Sequence, residues 1–566
     1  MNSWIKNTKG LFRVFLVLGI ILFANILGNF FYTSFDMTEE KRYVLTPSTK
    51  ELLQKIPDVM LVRVLLMGDF PAGFKRLQQG TKDIINQFRN QNGYIEYSFE
   101  NPNEGSIESV NRQREEMAKD GILPTNLMVR SGSENKEQLI YPYAIINYGE
   151  KKMIVNLLEN VLGADQETNL NNSISLLEYK MGNAIQKLLK SDKKNILITT
   201  GHGELAEEQT KSLVATLRPF YNIARINLDS SVFIKPDVAL LMVPRPRWPF
   251  SEKNKFIIDQ YVMNGGKVIW MVDGLKINLD SLSSRSEYIP EEHDVNLKDL
   301  LFKYGIRIEP QLVLDLECSR IPQVIGRQGD KPQIELFPWF YHPLVAPVSN
   351  HPIVRNIDRI HLEFPSTLDT IKTKFPLLKT AIIQSSQYSR YQRAPMKVSF
   401  EILRYKADAS KFDKPNLPMG YLLEGEFSSL YENRVEDGML QTLETLGTAF
   451  KPKSPENKMI VIADGDLVKN IYDAGTGKYL PMGYSKFEKT PFNGNIEFIT
   501  NAIEYLVNDE NILSARSKEV KLRLLDRVKA ENNKSYWQFF NIGLPLILLS
   551  IFGFSFQYFR RKKYTK

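Results

Sequence analysis

An apolar run at each end of the chain, long enough to cross a bilayer as a helix, constrains this protein more than any other feature. The first run covers residues 14–34 and the second covers residues 536–559. About 20 apolar residues span the hydrocarbon core of a membrane. Because no small-x-small cleavage site follows the first run, we expect an uncleaved anchor there and not a removed signal peptide. The alternative for the second run is a buried core helix, which its length disfavours.

Basic residues beside both runs predict how the chain crosses the membrane. The tails, residues 1–13 and 560–566, carry eight Lys and Arg residues and no Asp or Glu. Short segments rich in Lys and Arg stay in the cytoplasm. We therefore expect a two-span protein of the cell inner membrane, anchored in the lipid bilayer with both termini cytoplasmic. The body between the runs is then expected in the periplasm.

The predicted body has no net charge. The chain has 73 basic and 65 acidic residues, and removing the eight basic tail residues leaves equal numbers of each. Nucleic-acid binding requires an excess of Lys and Arg on the binding surface, so no nucleic-acid partner is predicted. The single cysteine, Cys318, forms no internal disulfide and no CxxC pair.

Hydrophobic periodicity over residues 38–190 predicts a first, small α/β domain. A buried strand at 62–67 is followed by a helix with one apolar face and by an alternating strand at 95–99. A hairpin turning at Gly149-Glu150 and a final helix near 174–188 complete the pattern. This order of elements predicts a thioredoxin-like fold. Without a CxxC motif, such a fold predicts a binding scaffold and not a redox enzyme.

Residues 191–510 alternate strand and helix more regularly and predict a second α/β domain. Its clearest strands are the apolar segments 196–200, 237–243, 268–272 and 459–463. The pattern is typical of a doubly wound parallel sheet of flavodoxin-like or class I amidotransferase-like type. We interpret residues 275–455 as later strands and insertions of this domain. Residues 511–535 are predicted to be a helical connector to the second apolar run.

Several motifs that would carry chemistry are missing from the sequence. Gly68–Gly73 and Gly475–Lys478 resemble phosphate loops, but their Lys and Ser/Thr positions do not match, so ATP would have to be bound by another subunit. The five histidines form no HxxxH or HExxH pair, and we interpret them as loop or surface residues. No metal and no cofactor is predicted. No Cys or Gly-x-Ser-x-Gly elbow follows a strand, which disfavours a nucleophilic hydrolase.

Polar residues that follow predicted strands are the best candidates for a site. Gly201-His202-Gly203-Glu204 comes directly after the first strand of the second domain, and Asp273, Asp464 and Asp466 follow two others. Ligands of open α/β sheets bind at the carboxyl ends of the strands. These side chains could therefore converge to bind a polar ligand or to perform acid/base chemistry. The alternative is structural, with the glycines forming a tight turn and the polar groups capping helices.

Short motifs along the whole chain resemble one known family. They are Asp36–Thr46 after the first run, Gly201–Glu204, Asn264-Gly265-Gly266, Pro338-Trp339-Phe340, His351-Pro352-Ile353, Leu423–Ser428, Asp464-Gly465-Asp466 and Gly494-Asn495. In this order, and between two terminal spans, they resemble the GldG family of gliding-motility ABC-transporter auxiliary proteins of Bacteroidota, sometimes named substrate-binding proteins. The resemblance implies association with a membrane permease and a separate ATPase subunit. It implies no catalytic residues.

Three functional hypotheses follow. The leading one is a non-enzymatic, membrane-anchored auxiliary subunit of an ABC transporter involved in gliding motility, whose body couples to extracytoplasmic protein partners. The second is a periplasmic ligand-binding module that uses the rim at Gly201–Glu204. The third is a divergent periplasmic hydrolase that uses His202 and the carboxylates of the same rim.

Overall fold

The computed structural model describes residues 16–20, 22–23, 44–120, 122–131, 134–159, 165–189, 193–282, 287–328, 331–347, 349–404, 407–435, 438, 440–441, 445, 449–508, 515 and 533–564. The chain forms two compact units, Met1–Glu519 and Val520–Lys566. The first unit is called the body below. It is a mixed α/β unit whose two largest sheets lie in its first and second parts.

The first part of the body contains a four-stranded mixed sheet with the strand order β2-β1-β5-β6. Its elements are α1 (Pro47–Gln54), β1 (Met60–Val64), α2 (Ala72–Gln91), β2 (Ile95–Phe99), α3 (Ile107–Lys119), β3 (Thr125–Ser131), β4 (Glu134–Ile140), β5 (Tyr143–Tyr148), β6 (Lys151–Asn156) and α4 (Gln166–Leu189). Strands β1 and β2 are parallel, whereas β5 pairs antiparallel with β1 and β6. The predicted hairpin at Gly149-Glu150 is confirmed, but helix α3 and the hairpin of β3 and β4 were not predicted.

The second part of the body is built on a seven-stranded sheet with the order β20-β23-β24-β10-β9-β7-β8. Its main elements are β7 (Asn195–Thr200), α5 (Lys211–Leu217), β8 (Asn222–Asn227), β9 (Val238–Pro244), α6 (Glu252–Met263), β10 (Lys267–Met271), α7 (Lys298–Lys303), β20 (Leu377–Gln384), β23 (Pro418–Ser428), β24 (Lys453–Ile462) and α8 (Gly494–Val507). Five neighbouring strands from β24 to β8 are parallel. Strands β23 and β20 add to one edge in antiparallel orientation. The four strands predicted from apolar runs are all present.

Helices cover both faces of this sheet because its parallel strands are apolar on both sides. Alternate residues of each strand face opposite layers. On one face, Ile269 of β10 and Ile460 of β24 share a core with Phe498 of α8. On the other face, Val268 of β10 shares a core with Ile258 of α6. Helices on both faces are what the predicted doubly wound α/β pattern requires, while the specific flavodoxin-like, amidotransferase-like and thioredoxin-like assignments stay predictions.

The predicted insertion between residues 275 and 455 contributes two strands to the main sheet and otherwise forms short sheets. The remaining strands are β11 (Leu275–Lys276), β12 (Glu287–Tyr288), β13 (Glu291–Glu292), β14 (Ile306–Ile308), β15 (Gln311–Asp315), β16 (Cys318–Gln328), β17 (Lys331–Val345), β18 (Ile360–His361), β19 (Leu368–Thr370), β21 (Ser389–Arg393), β22 (Val398–Ser399), β25 (Tyr472–Asp473), β26 (Lys478–Tyr479), β27 (Tyr484–Ser485) and β28 (Thr490–Pro491). A separate aromatic core around the fully buried Trp339 of β17 holds the insertion together.

Helices α4 and α8 join the two parts of the body through buried polar contacts. The Tyr179 hydroxyl of α4 lies 3.1 Å from Asn501 Oδ1 and 3.0 Å from Glu504 Oε2 of α8. Lys187 of α4 forms an ion pair with Glu504 at 2.9 Å. Buried charges that are paired and hydrogen-bonded fix the register of an interface because any shift would leave them uncompensated.

The second unit contains a long apolar helix. Residues Lys534–Lys563 form 30 helical residues, whose most apolar 18-residue stretch has a mean hydropathy of 2.0 and is not buried within the described structure. The helical segments are α9 (Lys534–Gln538), a π-helical turn (Phe539–Gly543) and α10 (Leu544–Tyr564). Among the described residues, this is the one helix that meets the length and apolarity needed to cross a membrane.

The first predicted span is described only in small part. Residues 16–20 and 22–23 are helical, and their large apolar side chains are exposed. The rest of residues 14–34 lies outside the described residues, as does most of the predicted connector at 511–535. The two-span topology therefore stays a prediction, whereas the C-terminal helix supports membrane association.

Candidate functional site

Polar side chains from three neighbouring loops meet at the carboxyl edge of the main sheet. Arg245 follows β9, Asp273 follows β10, and Asp466 follows β24. The Arg245 guanidinium donates from Nη1 to Asp466 Oδ1 at 2.7 Å, and its Nε lies 3.4 Å from Asp273 Oδ2. Lys469 adds a second cation 3.1 Å from the same Asp466 oxygen. Two of the carboxylates that were expected to converge, Asp273 and Asp466, thus lie together, and an arginine that was not predicted lies between them.

The backbone of Arg245 adopts a left-handed conformation, with a φ of 54°. This conformation is unfavourable for a residue with a long side chain and persists only where the surroundings impose it. Here the Arg245 amide donates to Met271 O at 2.9 Å, which ties the turn to β10. Gly465 packs directly against Arg245, because a Cβ at that glycine would lie only 2.6 Å from Arg245 Cγ. The side chain of Arg245 is thus held in one position, 6% exposed.

The carboxylates of this cluster differ in their environment. Burial raises the pKa of Asp273 to about 6, and the charge of Asp466 adds to the rise while Arg245 opposes it. Burial also raises the pKa of Asp464 well above its usual value. Asp464 accepts hydrogen bonds from the backbone amides of Glu363 and Asp466 at 2.8 and 2.7 Å. Asp464 therefore organises the loop and does not face an open site.

A cavity of about 410 Å³ opens above this cluster, between the edge of the main sheet and the insertion. Arg245, Asp466 and Lys469 line one side of it, and His342 of β17 and His361 of β18 line another. His361 Nε2 lies 3.1 Å from Ser319 Oγ, and its backbone is fixed by Asn495 at the start of α8. Such a concave site with a few convergent polar groups is typical of ligand binding.

His342 is the least satisfied polar group of the cavity. It is 4% exposed, and its buried Nε2 has no hydrogen-bond partner in the described part of the chain. Burial lowers the pKa of His342 well below its usual value, with the neighbouring His361 adding to the effect, so the ring is neutral near pH 7. A buried polar atom without a partner is costly, which favours a ligand or water in contact with it.

His202 and Glu204 lie away from the cavity. The Glu204 carboxylate accepts from the His202 amide at 2.7 Å and is buried. The His202 ring stacks on Phe250 at a centroid distance of 3.8 Å, and its Nε2 lies 3.0 Å from Asn254 Nδ2. Because that amide nitrogen can only donate, Nε2 accepts, and the proton of a neutral ring is on Nδ1, which faces Glu204 at 3.6 Å.

The turn at Gly201–Glu204 supports the loop that carries Arg245. The His202 carbonyl accepts hydrogen bonds from the amides of Arg247 and Trp248 at 2.7 and 2.9 Å. Gly203 has a φ of 71°, and a Cβ there would lie 3.0 Å from Arg247 Cβ. The geometry agrees with the structural alternative for this motif. The five predicted site residues therefore form two groups, with His202 and Glu204 in one and the three aspartates in the other.

Two features of the site were not expected from the sequence. The histidines were interpreted as loop or surface residues, which is wrong for His342, a buried residue of β17, whereas His202 lies in a loop although it is buried. Arg245 was not predicted as a site residue at all. Its signal was present in Pro244-Arg245-Pro246-Arg247, two basic residues among prolines directly after an apolar strand. No group of three metal-ligating side chains occurs among the residues that the structure describes.

The fold and the cavity together define a mixed α/β protein with a polar binding cavity at the edge of its main sheet. The chain belongs to the family described as ABC-type uncharacterized transport system, which matches residues 193–502, more than half of the chain. The family places the protein among auxiliary components of ABC-type transport systems. Residues 39–147 match a second family, a domain of unknown function named DUF7088.

Individual relatives are distant. An uncharacterized protein of Borreliella burgdorferi is 21% identical over 356 residues, and the alignment covers 62% of each chain. The chain thus matches less than two thirds of that relative's length. Among solved structures, the mmIFT52 N-terminal domain is similar over 56% of this chain and 97% of its own, with 15% identity and a TM-score of 0.30.

Proposed function

We propose that this protein is a non-enzymatic, membrane-anchored auxiliary subunit of an ABC transporter that takes part in gliding motility. The observation that carries the proposal is the C-terminal helix Lys534–Lys563, whose most apolar stretch is not buried against any of the described residues. An exposed apolar helix of this length requires a lipid or protein environment. Membership of an ABC-type transport family indicates which membrane complex would supply it.

In this proposal both terminal runs cross the inner membrane and the body lies in the periplasm. A single helix is sufficient to anchor a protein, so the second span has a further role as a surface for the permease. The π-helical turn at Phe539–Gly543 supports such a role, because π-turns are often found at functional positions in helices. The separate ATPase would bind nucleotide, since the sequence contains no phosphate loop of its own.

The test is purification of the full chain from its native membrane in a mild detergent. We expect a permease and an ATPase to co-purify with it. As a matched control, residues 536–559 are replaced by a leucine span of equal length, which keeps the anchor but removes the side-chain pattern. This variant should stay in the membrane and lose the permease. The proposal would be contradicted if the leucine-span variant still co-purified with the permease. It would also be contradicted if no permease co-purified with the unmodified chain.

Gliding is tested separately by gene replacement in a gliding host. We expect loss of spreading in the deletion strain, restoration by the unmodified gene, and no restoration by the leucine-span variant. Normal spreading of the deletion strain would remove the gliding part of the proposal and leave the transporter part intact.

A ligand-binding role is a second candidate, and one specific observation favours it. The cavity beside Arg245 is lined by His342, whose buried Nε2 has no hydrogen-bond partner among the described residues, and a ligand in the cavity would supply one. The predicted rim at Gly201–Glu204 would then act by supporting the loop and would not touch the ligand. A hydrolase at that rim is not supported, because His202 and Glu204 are engaged with each other, Phe250 and Asn254.

A further inference from the structure

A different cavity, of about 590 Å³, lies where the two parts of the body meet. Its walls come from β6, the end of α4, the segment before β7, the turn after α5 and the residue after α8. Five of its lining residues are lysines, namely Lys151, Lys152, Lys187, Lys193 and Lys194. No Asp or Glu is found among the described residues of the lining. A chain whose body has no net charge therefore concentrates cations at this one place.

Contacts of the ammonium groups place two of the lysines at the cavity wall. Lys151 Nζ donates to the carbonyl of Leu188 at 3.3 Å, and Lys187 Nζ lies 4.0 Å from the centre of the Phe220 ring. Leu188 and Phe220 line the same cavity. These two lysines come from β6 and α4, so the first part of the body supplies one positively charged side of the site.

The other side is supplied by the two lysines that precede β7. Lys193 Nζ donates to the carbonyl of Arg218 at 3.0 Å, just after α5, and Lys194 Nζ donates to the carbonyl of Val507 at the end of α8. Each of these carbonyls belongs to the residue directly before a lining residue. The positive groups of both parts of the body thus meet around one concave space.

Capping of helix ends explains where these two lysines lie but does not neutralise them. Lys187 is paired with Glu504 at 2.9 Å, whereas neither Lys193 nor Lys194 has a carboxylate within 4 Å among the described residues. A helix C-terminus carries only about half a negative charge. An ammonium group also has three N–H donors, and one carbonyl uses one of them. Positive charge and hydrogen-bond donors are therefore left for an anion.

The type of cation and the rest of the wall indicate which anion fits. The lining contains no arginine, whose planar fork matches a carboxylate, and lysine binds phosphate as a point charge. A phosphate group has about −1.5 to −2 charges at pH 7 and three acceptor oxygens, so it can accept from several ammonium groups at once. Met153, Ile154 and Phe220 add an apolar surface to the lining.

We propose that this cavity binds a ligand that carries a phosphate group, with the phosphate at Lys193 and Lys194 and an apolar part against Met153, Ile154 and Phe220. The same chemistry is present in the headgroup of an anionic phospholipid and in a soluble phosphate ester. The volume of about 590 Å³ falls within the range of small-molecule sites. This inference is independent of the proposed transporter role, because it rests on the cavity between the two parts of the body.

The first test is calorimetric titration of the full chain in a maltoside detergent and a phosphate-free buffer. The probes are phenyl phosphate, benzoate and benzyl alcohol, which share a ring and differ in the charged group. We expect phenyl phosphate to bind with a Kd below about 1 mM and benzoate to bind at least about tenfold more weakly. Benzyl alcohol should not bind. Equal affinities for phenyl phosphate and benzoate would overturn the assignment to phosphate.

Two lipids distinguish the sources of the phosphate. Dioctanoyl phosphatidic acid carries a phosphate, and dioctanoylglycerol has the same acyl chains without it. If the natural ligand is a lipid headgroup, phosphatidic acid should bind at least about tenfold more tightly than phenyl phosphate. Similar affinities would assign the site to soluble phosphate esters. Equal binding of the two lipids, or no binding of either phosphate probe at about 1 mM, would overturn the proposal.

Substitutions assign the binding to this cavity. The double variant Lys193→Gln, Lys194→Gln removes both charges and should weaken each phosphate probe at least about tenfold, whereas Lys193→Arg keeps its charge and should stay within about twofold. Lys82→Gln, at an exposed position of α2, is the matched control and should change neither affinity. Thermal melting confirms that each variant is folded. Phosphate binding that survives the double substitution would lie elsewhere on the chain, and the proposal would be wrong.

Discussion

Two neighbouring loops of the same sheet edge use polar residues in opposite ways. The polar groups of the turn Gly201–Glu204 face one another and not the cavity: Glu204 accepts from the His202 amide, and the His202 ring is engaged with Phe250 and Asn254. His202 Nδ1 and Glu204 Oε1 lie 3.6 Å apart, and neither has a hydrogen-bond partner among the described residues. The cluster at Arg245 is internally paired, yet it lies beside a cavity that is also lined by His342, whose Nε2 has no partner in the described part of the chain. Both groups follow strands and look alike in sequence. The comparison teaches that a strand-end position is not sufficient to identify a binding residue, whereas unsatisfied hydrogen-bonding capacity beside a cavity is informative.

Removal of the Arg245 charge should give the largest change in the free energy of unfolding. Arg245→Met leaves Asp273 buried without its counter-ion and Asp466 with Lys469 as its remaining cation, and the loss of one partner of a buried ion pair typically costs about 3–5 kcal/mol. We expect a decrease of this size in the free energy of unfolding, measured by urea denaturation. Arg247→Met is the matched control on the same loop, and since Arg247 is exposed it should change stability by less than about 0.5 kcal/mol. Similar losses of stability in the two variants would show that the burial of Arg245 does not determine its contribution to the free energy of unfolding.

The two groups should also respond to pH with opposite signs. The pKa of Asp273 is raised to about 6 by burial and by Asp466, so its contribution to stability is fully present below the unfolded pKa and is lost as the pH rises through about 6. Burial of Glu204 acts to raise its pKa, but hydrogen bonding with His202 and with the backbone outweighs it, so the net pKa is lowered. The contribution of Glu204 is therefore present above the unfolded pKa and is lost as the pH falls through the folded pKa.

Urea denaturation of Asp273→Asn and Glu204→Gln between pH 4 and pH 7 tests these signs. On acidification the unmodified chain should gain a stabilisation on the order of 2 kcal/mol from Asp273. The Asp273→Asn variant should lack this gain. The Glu204 variant should be most destabilised at neutral pH and approach the unmodified chain below the usual carboxylate range. If the stability of the two variants changed with pH in the same direction, the opposite pH dependence expected for Asp273 and Glu204 would be wrong.

A change within the turn Gly201–Glu204 should give the smallest loss of stability. His202→Phe keeps an aromatic ring against Phe250 and removes the hydrogen bond with Asn254, so we expect a loss of about 1–2 kcal/mol. Because the His202 carbonyl still accepts from the amides of Arg247 and Trp248, the loop that carries Arg245 should keep its conformation. A loss larger than about 3 kcal/mol would show that the imidazole ring supports the loop by more than its hydrogen bond with Asn254.

The sequence was most informative where a single physical rule decides the structure. Apolar runs were sufficient to find β7, β9, β10 and β24, and their parallel arrangement brought Asp273, Asp464 and Asp466 to one edge. Periodicity could not show that β20 and β23, from the proline-rich insertion, join the same sheet. That pairing depends on contacts between distant segments, as does the burial of His342 against the insertion core.

Side-chain partners were the least predictable part of the site. Nothing in the segment Gly201–Glu204 indicates that Glu204 turns back to its own backbone or that Phe250, almost fifty residues later, stacks on His202. The position of Arg245 depends equally on Gly465, which leaves space for it only once β9 and β24 are in the same sheet. Local sequence can suggest which residues are near a sheet edge, but the orientation of each side chain is decided by packing with remote segments.

Helix α8 gives the body a direct mechanical connection. At its first turn, Asn495 clamps both backbone groups of His361 in the cavity wall, and near its last turn Glu504 joins α4. The final residue of α8, Val507, accepts a hydrogen bond from Lys194. Fourteen helical residues measure about 21 Å, so α8 is a rigid link between the cavity wall and α4. We expect a shift of the cavity wall at His361 to move the contact between α8 and α4 at Glu504 as well.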